Sequence, residues 1–432
     1  MKKSLIFLSL CLLSGLGQTQ TILSLKDALT LAIENNFSIA LVKNERDAAH
    51  ISNSIGAAGM LPSLNGTVNQ DNQVTNTKQT FLNGNENNRD GAKSRSLNAG
   101  VEMSWTIFNG MKMFATKTKL AEFETMGDLK VRMQMEQVLA RVSKAYYDAV
   151  LSKAQVKSAE KFLAISKKRI DVAKAKVETG KSAKSEWLKA QVYYNADFAN
   201  YRRLLTQYEN SKLGLNQLMT QDLNYRFEVT DSIEPKESMQ LDALKKAGLE
   251  NNNGLQMAKR NLEINHLLIK EINAERLPSL QLRSGYNYNT SNSEAGFLQS
   301  ARNNGYHYGA GLSWNLFNGN DVNRRTSLAK IGEKTGEYIY KDSLLRFELN
   351  LQQAFNMYQT NLELWHFEES NLEIAKQNYE IAQDQYGQGI ISMNDLREAE
   401  VIYLQNVDRL LVAKYNAKVS ELELLRLSGS LG

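Results

Sequence analysis

Small and apolar residues recur at Val131, Met135, Val138, Val142, Ala145, Ala149, Ser152, Val156, Ala159, Leu163, Ser166, Ile170, Ala173 and Val177. The steps alternate four and three, a seam of period 3.5, which predicts helices wound with a left-handed supercoil. No proline interrupts the run from Met111 to Thr179, and Gly127 is its only glycine. At 1.5 Å per residue such a helix reaches roughly 100 Å. An ordinary globular helix is about 11–12 residues long.

The run occurs twice. A shift of 209 carries Ser104-Trp105, Phe108-Asn109-Gly110 and Gly180 onto Ser313-Trp314, Phe317-Asn318-Gly319 and Gly389. Its seam returns as Leu351, Ala354, Tyr358, Asn361, Trp365, Glu368, Leu372, Ala375, Tyr379, Ala382 and Tyr386. Upstream a shift of 216 carries Glu34-Asn35-Asn36 onto Glu250-Asn251-Asn252 and Leu61-Pro62-Ser63-Leu64 onto Leu277-Pro278-Ser279-Leu280. The difference of seven falls in the polar stretch between Leu64 and Ser104. A duplicated structural unit is the reading, with residues 18–222 and 239–432 as the two repeats and 223–238 as a linker. The linker holds a short strand candidate, Tyr225–Val229.

Residues 1–17 read as a secretory signal. Lys2-Lys3 precede an apolar core, Leu5–Leu13, and Gly15-Leu16-Gly17 offers a small-x-small cleavage site. Cys11 is the single cysteine and lies inside that core; Leu10 before it is too large for a usual lipobox, so lipidation is not expected. Without it, neither disulfides nor thiolate chemistry can contribute. The net charge is +5, or +3 without Lys2 and Lys3, spread along helices, so no nucleic-acid footprint is expected. Beyond the signal no apolar stretch approaches the roughly 20 residues of a membrane-spanning helix.

Leu25 to Gly59 reads as a helix capped by Ser24 and broken near Glu34-Asn35-Asn36, with Pro62 as its stop. Alternation follows. Leu280, Leu282, Ser284, Tyr286 and Tyr288 face one way and Gln281, Arg283, Gly285, Asn287 and Asn289 the other. After a polar tip, Tyr306, Tyr308, Ala310, Leu312, Trp314 and Leu316 alternate with His307, Gly309, Gly311, Ser313 and Asn315. The first repeat matches with Leu64–Val68, then Leu97, Ala99, Val101, Met103, Trp105 and Ile107. These are β-hairpins, about 64–108 and 280–317. Strands of about 9–11 residues, apolar on one face and polar on the other with aromatic girdles, are the signature of a transmembrane β-barrel, the alternative being an ordinary half-buried soluble hairpin. Four strands cannot close a barrel in lipid, so the chain must oligomerise, and three copies supply twelve.

Gly180 and Gly389 end the long helices, with Ser182 or Ser185 and Ser392 as caps of shorter returning helices, about Ser185–Met219 and Met393–Leu427. Asp395 and Glu398, at i and i+3, share a helix face there. Three symmetry copies of such a pair would favour cations at a constriction; the plainer reading is that Asp395 caps a helix N-terminus.

The Leu-Pro-Ser-Leu helix-to-strand junctions (Pro62, Pro278) and the Ser-Trp-x-x-Phe-Asn-Gly strand-to-helix junctions (Trp105, Phe108, Gly110; Trp314, Phe317, Gly319) recur with the duplication. With the Gly-x-x-Ser-x-x-Asp-Leu turn at Gly389–Leu396, they resemble the TolC-like outer membrane efflux protein family across essentially the whole mature chain. The resemblance implies an α+β membrane protein. Its homotrimer forms a 12-stranded β-barrel, four strands per chain, continuous with a long α-helical coiled-coil barrel in the periplasm. It implies the exit duct of an inner-membrane pump of the RND or ABC type, joined by a periplasmic adaptor (membrane fusion) protein, with outer-membrane lipid around the barrel. Neither catalytic site nor cofactor is implied. Adaptor docking falls at the tip turns Gly180, Ser185, Gly389 and Ser392, and a periplasmic gate at Asp395 and Glu398, with Arg397 beside them. The first repeat departs from the acidic pattern, with Glu186 and Lys189 at the matching places.

His50 and His266 match through the 216 offset, but no ligand cluster accompanies them, so packing or capping is expected rather than a metal site. Met103, Met111, Met113, Met126, Met133 and Met135 read as filling of irregular helix interfaces rather than soft-metal ligands. No phosphate loop, nucleophile elbow or zinc spacing occurs, so an enzyme is not expected. Two alternatives stand: a secreted coiled-coil scaffold with its strand aromatics buried against protein, and a type I protein secretion channel of the same architecture.

Overall fold

The computed structural model describes residues 21–230, 232–295 and 298–431. The expected signal, residues 1–17, lies outside them. Along the chain run β1 (Thr21–Leu23), α1 (Leu25–Asn35), α2 (Phe37–Ser52), β2 (Ser63–Thr80), β3 (Glu86–Asn109), α3 (Lys112–Glu178) and α4 (Lys184–Met219). There follow β4 (Phe227–Val229), α5 (Leu241–Asn251), α6 (Asn253–Ala274), β5 (Ser279–Ser293), β6 (Ser300–Ser313), α7 (Asp321–Gln388) and α8 (Met393–Leu427). The long helices have 67 and 68 residues, the returning ones 36 and 35. No helix among the described residues is long and apolar enough to cross a membrane.

The chain forms two units. One holds the residues up to Ile39, Met135–Glu250 and Leu349 onward; the other holds Ala40–Gln134 and Asn251–Glu348.

In the first unit the heptad seam is the core. Val138, Val142, Ala149, Ser152, Ala159, Ser166 and Ala173 of α3 are buried, as are Leu351, Tyr358, Ala375, Tyr379 and Ala382 of α7. A two-stranded parallel sheet pairs β1 with β4, Thr21 opposite Phe227. It packs through Leu23, Phe227 and Val229 on Val142 and Tyr146 of α3 and Leu215 of α4. The Tyr146 hydroxyl donates to the Leu23 carbonyl at 3.0 Å, and Lys153 to the Val229 carbonyl at 2.7 Å. Ser24 caps α1 in a capping box with Asp27.

In the second unit one antiparallel sheet runs β2-β3-β5-β6. Its register lines up the apolar sets of all four strands. Leu64 lies opposite Met103, Met103 opposite Ser284 and Ser284 opposite Tyr308; Val101, Tyr286 and Tyr306 share the next such level. The Tyr286 and Tyr306 rings lie 4.8 Å apart, and the Asn304 amide donates to the Tyr286 hydroxyl at 3.0 Å. The outer strands β2 and β6 pair on one side only. Trp314 and Leu316, expected in the last strand, lie beyond it, because β6 ends at Ser313.

Three expectations change. The helix meant to run to Gly59 ends at Ser52; Asn53, Ser54 and Gly56 turn the chain well before Pro62, whose role is to enter β2. The same holds at Pro278, since α6 ends at Ala274. His50 and His266 neither cap nor fill a core. Their Nδ1 atoms lie 2.5 and 2.9 Å from Glu124 and Glu333, equivalent carboxylates on α3 and α7, and both histidines are substantially exposed. Among the described residues no group of three or more His, Cys, Asp or Glu could hold a metal ion.

Candidate functional site

At the helical tips both long helices end alike. The Gly180 N–H donates to Val177 and the Lys181 N–H to Lys176; Gly389 and Ile390 repeat this onto Tyr386 and Gln385. This double bond to the last turn requires a left-handed residue at its pivot, supplied by Gly180 (φ +71°) and Gly389 (φ +80°).

The next helices start differently. Ser392 caps α8, its amide and hydroxyl donating to Asp395 Oδ2 at 2.9 and 2.8 Å while the Asp395 N–H returns a bond to Ser392 Oγ. In the first repeat Ala183 holds the cap position and makes no side-chain bond. Neither Ser182 nor Ser185 caps, because α4 starts at Lys184, and Ser185 lies inside the helix rather than in the turn. Glu186 there pairs with Lys189 at 3.0 Å, a locally neutral pair.

Asp395 is therefore a capping residue. The bonds from Ser392, the backbone one foremost, hold its carboxyl below the usual carboxylate range, so it stays ionised. It is exposed, as is Glu398 one turn further on. Arg397 between them faces away. Its guanidinium grips Asp197 of α4 at 3.0 and 2.6 Å, reaches Glu400 at 2.9 Å and stacks on the Tyr193 ring at 5.3 Å. Glu400, 1 % exposed, is held from its other side by Arg169 of α3 at 2.8 and 2.6 Å. Arg397's charge is thus compensated inward, leaving the two exposed carboxylates without a neutralising neighbour on their own turn.

This four-residue ion network escaped the sequence reading. Its one signal is that Arg169 flanks the seam residue Ile170, where charged partners of a coiled coil sit. Apolar contacts complete the tip: Ala173, Ala190 and Met393 are buried together with Ile170, Trp187 and Tyr386 around them. Lys176 lies over the Tyr386 ring at 4.5 Å.

At the other sequence-marked places, Trp105 donates its indole N–H to the Met60 carbonyl and Trp314 to that of Arg276, both at 2.9 Å. Phe108 lies in β3 beside a bulge, and Phe317 is exposed in the loop after β6. Each strand-to-helix turn contains two successive left-handed residues, Gly110-Met111 and Gly319-Asn320. Glu275 then ties the two repeats, accepting from Lys112 of α3 at 2.8 Å and Arg325 of α7 at 2.6 Å.

Tyr306 and Tyr308 of the edge strand β6 are 86 % and 89 % exposed, so nothing within the chain covers them.

Comparison with known proteins gives the same picture. The TolC outer membrane protein of Vibrio cholerae is 23% identical over 318 residues, 72% of this chain and 68% of that protein. The alkaline protease secretion protein AprF of Pseudomonas aeruginosa is 21% identical over 403 residues, 91% of this chain and 82% of that one. The crystal structure of the Campylobacter jejuni CmeC outer membrane channel superposes with a TM-score of 0.78 at 17% identity, covering 94% of this chain and 85% of that chain. That of VceC from Vibrio cholerae gives 0.73 at 15% identity, covering 94% and 96%. The outer membrane efflux protein model matches residues 28–221 and 244–430, and this chain belongs to that family of TolC-like outer-membrane channel proteins.

Proposed function

We propose that three copies of the chain form the outer-membrane exit duct of a tripartite export system. It passively conducts cargo received from an inner-membrane pump of the RND or ABC type through a periplasmic adaptor. The observation that carries this is the sheet: its register collects the apolar residues on one face, while β2 and β6 each keep an unpaired edge. Open edges are not tolerated in lipid, and joining β2 of one copy to β6 of the next removes all of them at twelve strands. The helices would continue the bore into the periplasm. Adaptor hairpins would dock at the tip turns around Gly180 and Gly389, with Ser185 and Ser392 at their margins. No catalytic step and no cofactor is required.

Asp395 and Glu398 would form the gate. Three copies bring six uncompensated carboxylates to one constriction, focusing negative potential and retaining cations. Opening would separate the tip helices held by the Arg169–Glu400–Arg397–Asp197 network. The variant D395N/E398Q, recorded in planar bilayers, should conduct more and lose block by multivalent cations; unchanged conductance and unchanged block would overturn the gate.

Protein secretion is the second reading within the same architecture. It is favoured by the alignment to the alkaline protease secretion protein over 91% of this chain.

A further inference from the structure

Beyond its aromatic levels the apolar face of the four-stranded sheet turns basic. Leu282 lies opposite Trp105 and Ala310, and Tyr288 opposite Ala99 and Asn304; every residue of the face between these levels is uncharged. The next levels bring Arg302 opposite Thr290, then Arg95 opposite Asn72 and Asn292, then Lys93 opposite Val74. All three cations are exposed. They stand at the turn end of the hairpins, away from the helices that join the sheet before Ser63 and after Asn109. Ten residues lead from Leu280 to Thr290. At ~3.4 Å per residue and a tilt of about 40° they climb about 26 Å along a membrane normal, the height of an outer-membrane barrel's apolar band. Arg302 therefore falls at the border of that band, with Arg95 and Lys93 just past it.

The chain leaves these cations open. Arg95 Nε donates to Asn72 Oδ1 at 3.0 Å, and its terminal amino groups find no partner among the described residues. The Lys93 and Arg302 side chains make no ion pair or hydrogen bond among the described residues either. Glu294 lies at the same end, accepting from the Lys93 backbone N–H at 3.1 Å, so three cations and one carboxylate leave +2 per chain. A hollow of about 710 Å³ opens there, lined among others by Lys93, Arg95, Asn72, Asn292 and Glu294. The opposite rim of the face differs. Its indoles donate to backbone carbonyls, and its arginine, Arg276, is engaged by Asn273 at 3.2 Å and Asn323 at 2.7 Å.

We propose that Lys93, Arg95 and Arg302 form a docking collar for the phosphorylated headgroups of outer-leaflet glycolipid. The inference rests on the trimeric duct proposed above, in which the apolar face meets lipid and three copies bring nine cations to its outer border. Acyl chains cover the apolar levels while headgroup phosphates reach the row beyond them. A guanidinium takes a phosphate in a two-pronged hydrogen-bonded fork, and a lysine adds a mobile point charge. Both side chains carry that charge on an apolar stem, which suits them to the border of the bilayer rather than to its interior. A free anion is the poorer occupant: the cations are exposed, and only a lipid adds acyl contact with the apolar levels to the charge attraction.

The test is native mass spectrometry of the purified assembly titrated in detergent with lipid A, a glycolipid bearing two phosphates. The native chain should retain lipid A. K93Q/R95Q/R302Q should bind it roughly a hundredfold more weakly, at about fivefold per basic residue near an anionic surface. K78Q/R89Q removes two cations from the first hairpin beyond the reach of β5 and should bind as the native chain does. Lipid A stripped of its phosphates should not be retained. Undiminished binding by the triple variant, an equal loss in K78Q/R89Q, or equal retention of the stripped lipid would each overturn the collar. So would displacement of lipid A by inorganic phosphate beyond that by chloride at the same ionic strength, which would assign the row to a free anion. Where the triple variant fails to assemble, R95Q and R302Q singly should each lose about fivefold, and no loss in either would overturn the proposal. Native protein recovered only as single chains would overturn the duct, and the collar with it; trimers that do not retain lipid A would overturn the collar alone.

Discussion

Arg169 and Glu400 meet as a two-pronged ion pair at 2.8 and 2.6 Å, their side chains 6 % and 1 % exposed. Removing one member of such a pair strands a buried charge, which typically costs about 3–5 kcal/mol, whereas replacing both by apolar groups is often neutral. Arg397 also reaches Glu400 and relieves part of the loss, so R169M should destabilise the helical unit by about 3 kcal/mol. R169M/E400M should recover most of it while Arg397 keeps Asp197. Thermal and denaturant unfolding followed by circular dichroism would show this; equal losses in both variants would refute a net charge effect.

The paired indole bonds, Trp105 to Met60 and Trp314 to Arg276, fix the chain entering each hairpin to the chain leaving it. W105F and W314F keep an aromatic ring but trade the indole for a phenyl and delete one neutral hydrogen bond each, for about 1 kcal/mol apiece from the bond. The two sites share no partner, so the losses should add in the double variant. A clearly larger loss in the double variant would mean that the two hairpins fold as one coupled element.

Gly110 and Gly389 both have positive φ but differ in what surrounds them. A Cβ at Gly110 would collide with the Ala274 carbonyl, while nothing lies within 4 Å at Gly389. G389A should cost about 1 kcal/mol, the left-handed penalty of an ordinary residue. G110A adds the displacement of backbone to that penalty and should cost roughly 3 kcal/mol. Comparable melting shifts would contradict the close approach.

Hydrogen bonding from Arg325, with Lys112 adding to it, holds the Glu275 carboxyl below its usual range. A depressed folded-state value means that the native state keeps its charge where the unfolded chain begins to take up a proton. The pair's stability is therefore complete above the ordinary glutamate value of about 4.3 and is lost as pH falls through the depressed native value. E275Q should be less stable than the native chain at neutral pH, and the difference should shrink steadily on acidification. A difference that stays constant across that window would rule out the linkage.

The features legible in the sequence are those fixed by local periodicity. The run expected over 111–179 is α3, Lys112–Glu178, because a proline-free heptad seam and a glycine at its end leave no competing structure. Alternation gave the sheet faces for the same reason. The pairing of β1 with β4 joins three-residue strands some two hundred residues apart, too short to show a period and too distant for any local cue. The ion network was hidden because its partners come from three helices whose apposition no spacing records. Ser185 misled because a serine near a turn has the right chemistry, yet the backbone placed Ala183 at the cap.

The proposed duct requires closure of the sheet edges, and stoichiometry tests this most directly. Light scattering with size exclusion on protein extracted from the outer membrane in mild detergent should give three chains per particle, since β2 and β6 then find partners and twelve strands close the barrel. A single chain per particle, still retained in the membrane through a carbonate or urea wash, would contradict it, because two open edges would then lie in lipid.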